Sequence, residues 1–167
     1  SIITTNYVAA SLNNYMNFKN FLEQTGKEEN RSVKEALSKL PKAYKKLVKG
    51  FKFKFLDGST LHGDSEHVGY MTNKPKVIAV AGPWHYGREF TFFHEIAHLV
   101  WEQLVDKEKR AAWKKVLEAT KDERQHQGAE EMFCMAWSNF YSKNKVVIHD
   151  HPTWKDFMKK LNTQLCK

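Results

Sequence analysis

The feature that most constrains this chain is a run from Thr91 to Val100 that is uncharged except for His94, Glu95 and His98. The run has no polar face of its own, which is typical of a helix buried on every side. Residues four apart lie on one face of an α-helix, with Cβ atoms about 5–6 Å apart, so the two imidazoles face the same way. Two histidines and a carboxylate are costly to bury without partners, and a metal ion is the simplest partner. The run therefore predicts a buried helix with two metal ligands.

The same residues match a known chemical pattern, His-Glu-x-x-His, in which both histidines bind zinc and the glutamate is a general base. Zinc lowers the pKa of a bound water to about 7, and a carboxylate beside the metal can accept its proton. Five residues with two free positions also occur by chance, but the apolar flanks favour a real site. The sequence predicts one zinc ion per chain, held by His94 and His98, with Glu95 as the base.

A catalytic zinc site needs a third protein ligand and leaves one position open. The segment from Ala129 to Tyr141 has the apolar spacing of a core helix but begins with Glu130 and Glu131. A carboxylate turned toward the core is costly unless it binds the metal or a metal-bound histidine. Negative charge also suits the first turn of any helix, so both glutamates have an ordinary explanation. We favour Glu131 as the third ligand, with Glu130 as the alternative.

A third histidine is another way to complete such a site. The metzincin pattern requires glycine and histidine where this chain has Trp101 and Leu104, so that class is excluded. More distant candidates are His126, His149 and His151, although the last two flank a turn-forming aspartate that explains them almost as well.

The two helical segments together resemble the gluzincin domain of anthrax lethal factor and the related Pro-Pro endopeptidases. The residues that carry the resemblance are Phe93-His94-Glu95-Ile96-Ala97-His98-Leu99-Val100 and Ala129-Glu130-Glu131-Met132-Phe133-Cys134-Met135-Ala136-Trp137. The resemblance extends over roughly residues 76 to 165. It implies a zincin-like fold and a zinc endopeptidase that acts on proteins or peptides. By the same alignment His94, His98 and Glu131 match the metal ligands, and Glu95 matches the base.

Two positions depart from the family. The family has an oxyanion-stabilising tyrosine seven residues before the ligand glutamate, where this chain has Arg124. Either Arg124 or His126 is predicted to donate to the developing oxyanion instead, with Tyr86 or Tyr141 as further options. The second departure is Met135, where the family often has an outer glutamate, and Glu130 is a possible substitute.

The resemblance also predicts where a substrate lies. In this fold a peptide commonly adds as an antiparallel strand to a sheet edge, for which Lys76–Ala81 is the expected edge strand. The loop that follows would face the cleft. Trp84, His85 and Tyr86 in that loop are predicted substrate contacts, although a buried aromatic turn explains them nearly as well.

The remaining patterns predict an α+β protein, zincin-like and mostly helical, with a small mixed β-sheet before the active-site helix. We expect a single domain over residues 1–167, with an N-terminal helical layer (1–50), a small sheet (51–82), and active-site and C-terminal helices (89–167). The predicted helices outside the motif are 12–25, 32–48 with Ser32 as N-cap, 106–119, 129–141 and 153–165, and the predicted strands are 51–55, 67–71 and 76–81.

Composition limits the classes of partner. With 28% charged residues and no apolar run long enough for a membrane span, the chain is expected to be soluble. Its compartment stays open, and secretion or delivery with a phage or toxin are both compatible. Cys134 and Cys166 are the only cysteines, so a disulfide framework is not expected, and Cys134 is interpreted as a small core residue.

The net charge of +8 comes mainly from lysines on helices whose other face is apolar. Such charges usually form a solvated face, and no nucleic-acid-binding motif accompanies them, so nucleic acid is not the favoured partner. The oligomeric state stays open. The alternatives to a peptidase are a catalytically silent zincin-like binding module and a basic protein that binds nucleic acid or a charged surface.

Overall fold

The computed structural model describes residues 31–56, 69–81 and 88–166, which form an α+β architecture with one small sheet. This confirms the predicted α+β class, mostly helical with a small mixed sheet. The predicted helix at 12–25 lies outside the described residues. No helix in the described ranges is both long and apolar enough to cross a membrane. The elements are α1 (31–38), α2 (Lys42–Leu47), β1 (Lys52–Leu56), β2 (Gly69–Asn73), β3 (Lys76–Ala81), α3 (Arg88–Leu104), α4 (Lys107–Thr120), a 3-10 turn at Glu123–Gln127, α5 (Ala129–Tyr141), a 3-10 turn at Val147–His149, and α6 (Pro152–Leu165).

The single helix predicted for residues 32–48 is wrong, because the structure has two helices there. Pro41 separates α1 from α2 with an extended backbone, at φ −56° and ψ 152°. Proline has no N–H to donate and disfavours helical geometry in the residue before it. Ser32 is not a cap either, since Arg31 is already helical.

The sheet has the strand order β1-β3-β2, with β1 parallel and β2 antiparallel to β3. The prediction that Lys76–Ala81 is the edge strand is therefore wrong, because it pairs on both sides. Val77, Ile78, Ala79 and Val80 are each at most 5% exposed, and such a continuous apolar run is typical of a strand covered on both faces. Within the described sheet, β2 is the antiparallel edge.

Helix α3 lies at the centre of the fold, between the sheet and α5. Most of its apolar residues are almost inaccessible, and full burial of a large apolar side chain contributes about 1.5–3 kcal/mol to folding. Those at most 1% exposed are Phe92, Phe93, Ile96, Ala97, Leu99 and Val100. A buried helix was predicted here, and the packing confirms it.

Helices α4 and α6 hold α5 against α3. Asp106 caps α4 by accepting a hydrogen bond from the backbone N–H of Lys109 at 3.0 Å. Further along α4, the indole of Trp113 is fully buried and donates to the carbonyl of Ala129 at 2.9 Å. This bond fixes the first residue of α5, directly before the two glutamates. Gly128 precedes it with φ +94°, a conformation that residues with a Cβ rarely adopt.

Candidate metal centre

The candidate site lies where α3 contacts the first turn of α5. The Nε2 atom of His94 donates to one carboxylate oxygen of Glu131 at 3.1 Å. The Nε2 atom of His98 lies 3.2 Å from the other oxygen of the same carboxylate. The two imidazole rings are 5.1 Å apart, between centroids. Three donor groups, predicted from the sequence as a ligand set, thus converge at one place.

Glu130 contacts the other side of the second histidine. The Nδ1 atom of His98 lies 3.0 Å from Oε1 of Glu130, so this carboxylate holds the ring while Nε2 faces Glu131. Metal-binding histidines usually donate their second nitrogen to such a partner, which fixes the tautomer and orients the ring. The arrangement gives the two glutamates different roles, although both face the histidines.

These contacts change the charge states of the groups. Hydrogen bonds from His94 and His98 hold the pKa of Glu131 well below its usual range, despite its partial burial. Burial lowers the pKa of His98, but its bonds to Glu131 and Glu130 outweigh this, so the pKa is raised overall. The carboxylate of Glu131 is therefore favoured in its ionised form beside the two imidazoles. Metal binding requires neutral imidazoles and ionised carboxylates, so a divalent cation can take the place of a proton between them.

Glu95, the predicted base, is 2% exposed and lies where β2 crosses α3. The crossing is very close at Gly69. A Cβ built on Gly69 would lie 2.6 Å from Cγ2 of Thr91, 3.2 Å from the carbonyl oxygen of Ala79 and 3.5 Å from Cγ of Glu95. Any side chain at position 69 would collide with Thr91, so only glycine lets the strand lie this close to the helix.

Cys134 is a residue whose position the sequence interpretation missed. It is fully buried, as expected of a core residue, and burial raises the pKa of its thiol well above the ordinary value. Its sulfur also belongs to a group with His94 and His98 whose ligand atoms all lie within 4.8 Å of one another. One signal could have found it, because Cys134 follows Glu131 by three residues and therefore shares its helix face.

Arg124, one of the two predicted oxyanion donors, is held at the edge of the site. Its Nε atom donates to Asp122 at 2.9 Å, and its terminal nitrogens contact Asp122, His149 and the carbonyl of Ile148. The His149 ring stacks on Phe90 at 5.6 Å between centroids. Phe90 in turn lies 6.5 Å from the His94 ring. The structure thus connects Arg124 with the site through His149 and an aromatic ring.

The other predicted catalytic and substrate residues are not brought to the histidines by any described contact. His126 is exposed, and its Nδ1 lies 3.0 Å from the carbonyl oxygen of Glu123. Tyr141 packs in the core, with its ring 4.7 Å from that of Trp137 and 6.0 Å from that of Tyr44. The predicted substrate contacts, Trp84, His85 and Tyr86, lie outside the described residues.

The contacts of the Asp122 carboxylate should make the free energy of unfolding depend on pH. Its hydrogen bond with Arg124 holds the pKa of Asp122 well below its usual range, and His151 adds a contact at 3.0 Å. A lowered carboxylate pKa contributes stability above the unfolded value, about 3.9, and that contribution is lost as pH falls through the folded value. We expect Asp122→Asn to lower the unfolding free energy at pH 7 by about 1–3 kcal/mol, discounted for solvent screening, and by less at pH 3.

Urea unfolding of both proteins at the two pH values measures this difference. Asp150→Asn is the matched control, because its side chain is 41% exposed and its lysine partner is 3.5 Å away. A loss of stability that is the same at pH 3 and pH 7 would contradict a role for the Asp122 charge.

The described site therefore joins two imidazoles and two carboxylates, with Glu95 and Cys134 on the same pair of helices. Nitrogen and carboxylate oxygen in this combination are suitable donors for zinc. No family model, curated protein or solved structure matches this chain, so the site geometry is the basis for assigning a function.

Proposed function

We propose that the chain is a zinc-dependent endopeptidase in which His94, His98 and Glu131 hold the metal and Glu95 is the general base. The observation that carries the proposal is the approach of two Nε2 atoms to the two oxygens of one carboxylate, at 3.1 and 3.2 Å. A zincin-like fold is part of the proposal. It is supported by a buried histidine helix between a mixed sheet and a second ligand helix.

The donor distances fit the proposed metal. Nitrogen and oxygen ligands lie about 2.0–2.2 Å from zinc, so neighbouring donors of a tetrahedral site are roughly 3.4 Å apart. The distances of Glu131 to each histidine are within a few tenths of an ångström of that value. When bound, zinc supplies Lewis-acid polarisation of a carbonyl and lowers the pKa of water.

The chain's own residues supply the rest of the proposed chemistry. Glu95 accepts a proton from the attacking water and delivers it to the leaving amine, in an environment where it is 2% exposed. A carboxylate shielded in this way interacts more strongly with nearby charges than one in water. Glu130 holds His98 by Nδ1 and so keeps its other nitrogen directed at the metal.

The corrected strand order supports β2 as the strand that would receive a substrate. Edge strands present unpaired N–H and C=O groups, and an extended peptide can add to them by main-chain hydrogen bonds. Strand β2 is an edge of the described sheet and passes directly over Glu95 at Gly69. An extended peptide segment is therefore the proposed class of substrate.

A second candidate function is a catalytically silent module that binds the metal. The observation that favours it is the engagement of Arg124 with Asp122, His149 and Ile148. An oxyanion donor contributes most when it is aimed at the developing charge, and removal of such a donor typically costs 10²–10³ in kcat. The Glu95 variant considered in the Discussion distinguishes the two candidates.

Metal content tests the proposed site directly. Elemental mass spectrometry of the purified, chelator-free protein should find about one zinc per chain, because three donors converge on one position. The double variant His94→Ala/His98→Ala should be metal-free, since it keeps a single carboxylate ligand. His126→Ala is the matched control, because that exposed histidine lies on a separate turn, and it should retain the metal. A folded wild-type chain without metal would contradict the proposal.

A further inference from the structure

The inner side of the candidate metal centre carries a thiol that the proposed ligand set does not use. Cys134 lies one turn after Glu131 on α5 and is 0% exposed, whereas the side chain of Glu131 is 37% exposed. The two residues share one face of α5. The Glu131 carboxylate is partly accessible to solvent, whereas the thiol lies within the core.

The distances allow one ion to contact the thiol and both imidazoles. The ligand atoms of His94, His98 and Cys134 are mutually within 4.8 Å. Three such atoms have a point between them that is no more than about 2.8 Å from each, which is 4.8 Å divided by the square root of three. Zinc bonds are about 2.3 Å to sulfur and 2.0–2.1 Å to nitrogen. Shifts of about 0.5–0.8 Å at most would thus bring all three atoms into bonding range.

An ordinary core cysteine would not require this placement. Buried cysteine usually acts as a small apolar side chain, and such a role needs only an apolar volume. Here the sulfur instead lies close to two imidazoles that also bind carboxylates. A side chain that satisfies only packing gains nothing from that position.

On the basis of the proposed metal site, we propose that Cys134 is a direct donor to the same ion as His94 and His98. The thiol loses its proton to solvent as the sulfur–metal bond forms, so one proton is released for each bond. A thiolate in the donor set selects soft or borderline cations such as zinc and cadmium over magnesium and manganese. With Glu131 also bound, four protein donors would surround the ion, and the attacking water of the proposed function would add as a fifth ligand.

Cobalt(II) in place of zinc tests the proposal in the full chain. Bound tetrahedral cobalt gives visible ligand-field bands, and a cobalt–thiolate bond adds a charge-transfer band in the near ultraviolet. We expect both signals in the wild type and in Cys166→Ser, whose remaining thiol is Cys134 alone. Cys134→Ser should keep the visible bands and lose the near-ultraviolet band.

The outcomes separate this proposal from the proposed function. Visible bands without a charge-transfer band in Cys166→Ser would overturn the role of Cys134 and leave the metal site supported. Absence of both signals in the wild type would overturn both proposals. Because Cys166→Ser answers the question on its own, the test stands even if replacement of the buried Cys134 prevents folding.

Discussion

Replacement of Glu95 by glutamine is expected to lower kcat/KM for peptide hydrolysis by roughly 10²–10⁴-fold while zinc stays bound. Glutamine has nearly the volume of glutamate, so the packing of a side chain that is 2% exposed should survive. It cannot accept a proton, however, and the proposed base would be lost. Glu95 is also not one of the proposed ligands, so metal content should not change.

The measurement compares cleavage of a mixed peptide library, followed by mass spectrometry, with zinc content in the same samples. Glu102→Gln is the matched control, because it makes the same change at an exposed position of α3. Equal cleavage by Glu95→Gln and the wild type would exclude Glu95 as the base. Stoichiometric zinc with no cleavage by the wild type would favour the catalytically silent module.

The second large effect is expected on metal affinity. Glu131→Gln should weaken zinc binding by more than a hundredfold, because it removes a proposed ligand whose oxygens face both histidines. Glu130→Gln should weaken it by about 10–100-fold, the usual effect of losing a partner that orients a ligand histidine. The predicted order follows from which nitrogen of His98 each carboxylate contacts.

Competition with a chromogenic chelator measures both affinities. The two variants remove the same charge from adjacent positions of α5, so each controls for the other. A larger loss in Glu130→Gln than in Glu131→Gln would reverse the assignment and make Glu130 the ligand. Equal affinities in both variants and the wild type would mean that neither carboxylate binds the metal.

Much of the fold was predicted correctly from local patterns of apolar and polar residues in the sequence. The predicted segments Lys76–Ala81 and Ala129–Tyr141 are identical with β3 and α5, because their apolar spacing changes sharply at both ends. The break at Pro41 was missed for the opposite reason. Buried positions recur every four residues from Ala36 through Leu40 to Tyr44, so the helical period continues across the break.

The sequence predicted those residues of the candidate site whose burial without a partner is costly. Two histidines in an apolar helix need partners, and a glutamate at the start of another apolar helix can be one. The edge strand and the position of Cys134 depend instead on which strands pair and which helix faces meet. Those are tertiary properties, and a cysteine in an apolar stretch has no cost that would reveal its neighbours.

The absence of a side chain at Gly69 also has a mechanical consequence. A Cβ at this position would lie 2.6 Å from Thr91 and 3.5 Å from the stem of Glu95, so there is no room for a side-chain layer between strand and helix. Protein interiors packed at this density transmit displacement and do not absorb it. We therefore expect a displacement of β2 at Gly69 to shift α3 at Thr91 with it.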